Sequence, residues 1–400
     1  MPKTNLSQIF DIAIVGGGPS GRIAALTLAQ NGFSCALVAP RSTQKDGRTT
    51  ALWQKSIELL QEIGVWHELA DTACELKKMR MIDDTGRLIR APEVVFDSAE
   101  LGMEVFGFNI LNHELNNVLE KQCEAHSNVA ELNDSVAQVE YGDETALLTT
   151  NSGQAIEAKL VVAADGRNSV LRETAGIQVR RWSYPQVAVV LNLEHRLPHQ
   201  HISTEFHTST GPYTLVPLPG RQSSLVCVET AEGAETLLSL DTHELELELE
   251  RRAHSILGRF TLASKPQSFP LSGLTAQTLV KDRLALVGET AHVFPPIGAQ
   301  GLNLSLRDVM DLSGVLLSAR MKHQDLGRDA VLKAYETKRV RDIRSRTSAV
   351  DALNRSLLTD FLPVQAARSV SMHLAERVGP FRRMLMREGL APGSAFRFGR

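Results

Sequence analysis

Three separated apolar runs ending in glycine, a stretch of short alternating strands between them and a helix-rich tail predict an α/β chain. In such a chain a parallel-sheet domain is assembled from discontinuous segments, an antiparallel-sheet domain is inserted into it, and a helical region closes the C-terminus. The 400 residues, 43% of them hydrophobic and 22% charged, can bury a sizeable core and suggest roughly two to three domains. The 28 Gly and 16 Pro follow no period, which excludes a collagen-like or low-complexity chain. Cys35, Cys74, Cys123 and Cys227 are scattered, with no CxxC pair and no adjacent His cluster. That predicts a reducing compartment, no disulfide framework and no structural metal. The N-terminus MPKTNLSQIF has no apolar h-region and no run reaches membrane-spanning length, so a cytoplasmic chain is expected.

Along the chain, Asp11–Val15 (DIAIV) is the continuous apolar run of a strand covered on both faces. GGGPSG follows and opens a helix-length stretch, RIAALTLAQNG, that stops at Gly32. Cys35–Val38 is a second buried strand, completing a βαβ start. Residues 51–70 predict one amphipathic helix, with Leu52, Ile57, Leu60 and Ile63 on one face. Residues 79–108 are strand-like and turn-rich, and a helix is expected from His113 to about Ala125. LVVAADG, residues 160–166, is another buried strand. From 181 the runs VAVVLNLEH, STEFHT, YTLVPLP and SSLVCVET alternate in the manner of an antiparallel sheet with one solvated face. LALVG at 284–288 returns to the buried type, a long helix begins near Asn303, and the last sixty residues are helical. The expected division is therefore 1–78, 109–180 and 276–335 for the nucleotide-binding domain, 79–108 and 181–275 for a substrate domain, and 336–400 for a C-terminal helical region.

Gly16-x-Gly18-x-x-Gly21 lies between a strand and a helix, the context of a Rossmann-like dinucleotide fingerprint. Gly16 allows the tight turn, Gly18 lets backbone approach a diphosphate, and Gly21 lets the helix pack closely on the strand. The acidic residue expected about 20 positions further on is absent: Ala39 stands at the end of the second strand, followed by Pro40 and Arg41. Asp165-Gly166 ends the strand at 160 and could reach a cofactor hydroxyl. In LALVGETAHVFPPIGAQGLNLSLRDV, Pro295-Pro296 stiffens the loop, and Gly298 and Gly301 permit backbone approach before a helix begins. A helix N-terminus aimed at a ligand stabilises developing negative charge, which suits the ring of a reduced flavin.

GGGPSG, AADGRNSVLR and GETAHVFPPIGAQGLNLSLRD, in this order and spacing, resemble the class A FAD-dependent aromatic monooxygenases with the p-hydroxybenzoate hydroxylase fold. Within them the chain looks most like the ubiquinone-biosynthesis hydroxylases of the UbiH/UbiF/VisC type. Arg48-Thr-Thr-Ala-Leu52, Tyr335…Arg339…Asp342, Asp351…Arg355 and GPFRRMLMREGLAPG support that subgroup. The resemblance implies that Gly16, Gly18 and Gly21 hold the FAD diphosphate. It implies that Arg48 and Asn112 meet the ribityl-pyrophosphate region, and that Asp165 serves both FAD and NAD(P)H. Gly288 and Glu289 would bind ribityl and diphosphate oxygens, with Pro295, Gly298, Gln300, Gly301, Leu302 and Asn303 around the isoalloxazine. Glu289 stands where the family has Asp, and Ser305 where Gly is common. Ala39 and Glu289 are the two departures that bear on FAD retention. His292 matches a family His and Pro217 a family-like position in the substrate roof. A single GxGxxG agrees with a family that lacks a separate NAD(P)H domain.

The implied activity is hydroxylation of the aromatic ring of a polyprenylated phenol in ubiquinone biosynthesis, using NAD(P)H and O2 through a C4a-hydroperoxyflavin. No catalytic acid–base residue is nominated, and no metal or nucleic acid is expected. From Lys338 to Arg400 the chain has 13 Lys/Arg and 5 Asp/Glu, a balance of +8 on a body of −11. This basic tail predicts contact with the inner-membrane surface or a Ubi complex, or else a solvated face. A hydroxylase of soluble aromatics would share the core, and a non-catalytic FAD-fold subunit would bind FAD poorly. A flavin halogenase lacks its WxWxIP-type motif here.

Overall fold

The computed structural model describes residues 9–41, 47–87, 90–295, 299–358 and 362–390. In chain order the elements begin β1 (Ile9–Val15), α1 (Pro19–Gln30), β2 (Cys35–Val38), β3 (Thr49–Trp53), α2 (Gln54–Glu62), α3 (Trp66–Leu69), β4 (Cys74–Leu76) and β5 (Lys78–Asp83). Next come β6 (Val94–Asp97), β7 (Gly107–Leu111), α4 (Asn112–Ala125), β8 (Val129–Leu132), β9 (Val136–Tyr141), β10 (Ala146–Thr150), β11 (Ala155–Ala163) and α5 (Val170–Thr174). The middle holds β12 (Val179–His195), β13 (Ile202–His207), β14 (Pro212–Leu218), β15 (Gln222–Thr230), α6 (Ala231–Ser239), α7 (Thr242–Arg252), β16 (Phe260–Leu262) and β17 (Gln267–Ala276). The chain then runs through β18 (Val280–Lys281), β19 (Leu284–Leu286), β20 (His292–Val293), α8 (Gln300–Met321), α9 (Asp329–Leu358), α10 (Leu362–Arg377) and α11 (Gly379–Leu390).

The first sheet has the order β18-β19-β11-β1-β2-β8, with β10 and β9 continuing from β11. Its centre is parallel, β1 pairing with β11 on one side and with β2 on the other. β1 and β2 are buried on both faces, which is why their sequences are continuously apolar. The chain leaves β1 toward β2 and returns on the opposite side as β11, so strand order reverses at β1, where α/β sheets place their ligands. β19 then joins β11 in parallel, so three distant segments of chain build one sheet.

A nine-stranded sheet follows the order β20-β17-β12-β15-β14-β13-β5-β6, with β16 beside β12. One of its pairs is parallel, β13 with β5, because β5 enters from a distant part of the chain. Side chains on one face, among them Val189, Leu191, Tyr213 and Leu225, form a core with Leu237 of α6 and Leu245 and Leu249 of α7. The short alternating pattern predicted strands throughout 181–275, yet 231–252 are helical. Thr230 caps α6, and Asp241 with Glu244 forms a reciprocal capping box on α7. A third sheet has the order β3-β7-β4; it bonds to β14 of the nine-stranded sheet through Asn109 and to the start of α8 through Ala51 and Trp53. Its strand β3 replaces the first three residues of the helix expected over 51–70. Pairing of Thr49–Trp53 with β7 satisfies that backbone, and the helix starts at Gln54.

Candidate active site

The first glycine turn is closed on one side and open on the other. A Cβ built on Gly16, whose φ is +122°, would sit 2.2 Å from the Ala164 carbonyl oxygen, and one on Gly21 would sit 1.9 Å from that of Gly16. A Cβ on Gly18 would meet nothing within 4 Å. Gly18 thus faces open space above the strand ends, as a backbone that must approach a ligand requires. It is also the N-cap of α1, which has Pro19 in its first turn, no capping side chain and no acidic first-turn residue. The uncapped N–H groups and the helix dipole favour a diphosphate here. A cleft of about 590 Å³ opens over this turn, lined by Gly16–Gly18, Arg22, His113, Asn116, Asp165 and Gly166 among others. Asn116 Oδ1 is buried without a protein partner, a cost that a bound ligand would remove.

The second and third motifs converge on the same turn. Asp165 Oδ1 accepts from Thr290 Oγ1 (3.3 Å), and Thr290 Oγ1 accepts from the Gly166 N–H (3.1 Å). A Cβ on Gly288, φ +65°, would lie 3.0 Å from Ser20 Oγ of α1 and 3.2 Å from Ser305 Oγ of α8. The first turn of α1 and the second turn of α8 therefore meet at one glycine. The N-cap of α8 is Ala299 in the left-handed region (φ +52°), again with no capping side chain and no acidic residue in the first turn.

Behind Gly288 lies a fully buried carboxylate. Asp308 accepts from the Gly288 N–H (2.9 Å), from His292 Nε2 (2.7 Å) and from Arg339 Nε (2.7 Å). Burial alone would raise its pKa, but His292, Arg339 and the Gly288 N–H together hold it below the usual carboxylate value. Arg339 also bonds Asp311 and Asp342, and Tyr335 Oη donates to the Leu286 carbonyl (2.8 Å). The Tyr335…Arg339…Asp342 pattern is thereby explained: it clamps α9 to α8 and to β19, the strand that leads to Gly288.

Of the other residues singled out from the sequence, Arg48 begins the loop into β3, with its guanidinium over the Phe269 ring of the nine-stranded sheet (5.1 Å). The N–H of Asn112, first residue of α4, donates to the Arg48 carbonyl (2.9 Å). Glu289 is exposed and pairs with Arg167 at 3.4 Å. The Asn303 side chain makes four protein bonds, from the Trp53 N–H and Ser56 Oγ and to the Ala51 and Ala299 carbonyls. It braces the start of α8 against β3, so a cofactor would meet this residue through its backbone. Gln300 is buried at the start of α8, followed by Gly301, where a Cβ would again find open space, and by Leu302. Pro295 precedes this helix, while Pro296 and Gly298 lie outside the described residues. Ala39 is fully buried. The nearby carboxylates Glu131 and Glu120 face Arg22 at 2.8 and 3.6 Å rather than a ribose.

Sequence reasoning missed the polar residues between the sheets. Alternation along β12, β15 and β14 places Asn192, Ser224 and Val216 in one transverse row, on the face opposite α6 and α7. Asn192 Nδ2 donates to the Gly47 carbonyl, and Asn109 Nδ2 of β7 to that of Pro217. Asn192 Oδ1, Ser224 Oγ, Asn109 Oδ1 and Trp53 Nε1 are buried and without a hydrogen-bond partner. Such orphaned groups where two layers meet mark a place for a ligand. Only the strand register reveals them. Elsewhere Cys74, His199 and His201 bring possible metal-ligand atoms within 4.8 Å. However, His199 Nδ1 accepts from the His201 N–H and Nε2 faces the Leu218 carbonyl, which leaves no free lone pair.

A dinucleotide cradle at a strand-order reversal, two uncapped helices meeting at Gly288 and an inserted antiparallel sheet define a flavin-dependent monooxygenase. Residues 10–348 match the family model described as FAD binding domain, and the chain belongs to that family. It is 32% identical over 392 residues to the ubiquinone hydroxylase UbiL of Rhodospirillum rubrum, covering 96% of this chain and 90% of the relative. It is equally 32% identical to the 3-demethoxyubiquinol 3-hydroxylase of Escherichia coli, covering 96% and 99%. In fold it matches p-nitrophenol 4-monooxygenase PnpA from Pseudomonas putida DLL-E4, with TM-score 0.77, 20% identity and 96% and 98% coverage. It also matches a point variant of Klebsiella pneumoniae HpxO complexed with FAD, with TM-score 0.76, 18% identity and 96% and 99% coverage. The chain is thus an FAD-dependent aromatic hydroxylase of the ubiquinone-hydroxylase group.

Proposed function

We propose that the chain hydroxylates the aromatic ring of a polyprenylated phenol on the route to ubiquinone, with NAD(P)H and O2 as co-substrates. Bound FAD supplies the redox chemistry, taking electrons from the nicotinamide and activating dioxygen. Gly16, Gly18 and the N-terminus of α1 would hold its diphosphate. Gly288 would meet its ribityl and diphosphate oxygens, and Gln300, Gly301 and the backbone of Asn303 would border its ring, with the start of α8 aimed at developing negative charge. The observation that carries the reading is the set of orphaned polar atoms on Asn192, Ser224 and Asn109, beside the paired Val190 and Val226 on the same sheet face as Asn192 and Ser224. Few polar groups among apolar side chains suit an oxygen-substituted ring and exclude water from it. The relatives' names support the substrate class.

The basic C-terminal region supports docking at the inner-membrane surface or on a Ubi complex, where a prenylated substrate resides. Among the described residues no helix is long and apolar enough to cross a membrane. The test compares NAD(P)H-dependent hydroxylation of prenylated phenols with that of short polar phenols by the FAD-loaded enzyme. The proposal expects turnover with the first set. Turnover confined to the second would establish a soluble-aromatic hydroxylase instead.

A further inference from the structure

A third apolar core lies where the edge of the nine-stranded sheet meets the C-terminal helices. Val94 and Phe96 of β6 and Met79 and Met81 of β5 pack there with Phe106, Trp53, Met372 and Ala375 of α10, and Phe381 and Met386 of α11. Four of the chain's nine methionines gather in this place. Methionine is the most adaptable apolar lining, able to follow a flexible hydrocarbon. Val94, Phe106 and Ala375 are sealed, but Met79, Met81, Trp53, Met372 and Phe381 are only partly buried.

The strand register joins this core to the ring site. Met79 is opposite Phe96 on one side and level with Ser203 on the other. The same face continues through Val216 and Ser224 to Asn192. Val216 and Ser203 thus lie on the sheet face between the orphaned atoms of Asn192 and Ser224 and the methionines. The four steps between adjacent strands from β12 to β5 span about 19 Å. Trp53 stands over both regions: its N–H is bonded to Asn303 at the start of α8, while its indole packs in the methionine core with Nε1 unpartnered.

We infer that this stretch of sheet face is the subsite for the substrate's isoprenoid tail, running under α10 and α11. The inference rests on the prenylated-phenol reading. On the same two helices Val370, Leu374 and Val378 of α10 and Leu385 of α11 are exposed, so the tail would enter beside an apolar face.

The test is photocrosslinking of FAD-loaded enzyme with a phenol whose prenyl tail ends in a diazirine, mapped by mass spectrometry beside hydroxylation of the same compound. Saturable label on Met79, Met81, Phe96, Met372 or Met386 is expected. A Met81→Lys variant should lower, by tenfold or more, the preference for long-tailed over tail-less phenols in binding. Saturable label elsewhere, label that tail-bearing competitors do not displace, or an unchanged preference in Met81→Lys overturns the subsite. Label at the methionines without hydroxylation would support the subsite while contradicting the proposed reaction.

Discussion

At the scale of single residues, Gly18 and Gly21 answer an added methyl differently. The methyl of Gly21→Ala would collide with the Gly16 carbonyl, so the apo protein should lose several degrees of Tm. The methyl of Gly18→Ala meets no protein atom within 4 Å. That variant should melt like the wild type without FAD, yet bind FAD at least tenfold more weakly in a fluorescence titration. Equal loss of apo stability in both would show that the open side of the turn is not a ligand cradle. Asp308 is a different kind of residue, a buried carboxylate with three donors. Asp308→Ala would strand the Arg339 guanidinium on that side and free the Gly288 N–H. It should cost about 3–5 kcal/mol in denaturant unfolding.

Elements carry the next level of explanation. The start of α8 is held by the four bonds of Asn303, and the second turn of α8 meets α1 at Gly288. Asn303→Ala should therefore reduce FAD affinity even though its side chain points at protein. A variant that binds FAD normally would refute this bracing role. Asp241→Ala removes the capping box of α7 and should cost about 1 kcal/mol. Much of this level was legible in the sequence. β1, β2, β11 and β19 are continuous apolar runs because they are covered on both faces, and each glycine motif marks where such a strand ends. Three features were not legible. The start of the 51–70 segment fits a helix locally, and only pairing with distant β7 makes it strand. Helices α6 and α7 are short and acidic, and their caps are informative only once the strands around them are known. The orphaned atoms of Asn192, Ser224 and Asn109 needed the register, since a polar residue in a strand is ordinarily on the solvated face.

At the scale of the whole molecule, one sheet assembled from three stretches carries the cofactor cradle and a second sheet roofs it. pH should act through the roof first. Burial holds His195 and His199 below the usual value of 6.5, even though both face backbone carbonyls. The unfolded chain therefore binds more protons than the folded one just below pH 6.5. Their contribution to stability is complete above that pH and is lost as pH falls toward their folded values. Tm should be nearly level from pH 6.5 to about pH 8 and decline toward pH 5, less steeply in a His195→Gln/His199→Gln double variant. Asp308, held below 3.8, adds stability that is complete above that pH and is lost only as pH falls further.

The central claim is that the convergent glycine turns load FAD so that the sheet above can present a prenylated ring to activated oxygen. Incubating FAD-loaded enzyme with NAD(P)H and a prenylated phenol under ¹⁸O₂, then weighing the product, tests it most directly. The account predicts a ring carrying one labelled oxygen, with product formation sharply reduced in Gly18→Ala. Consumption of NAD(P)H that yields only hydrogen peroxide and an unchanged ring, or a hydroxyl oxygen drawn from water, would contradict it.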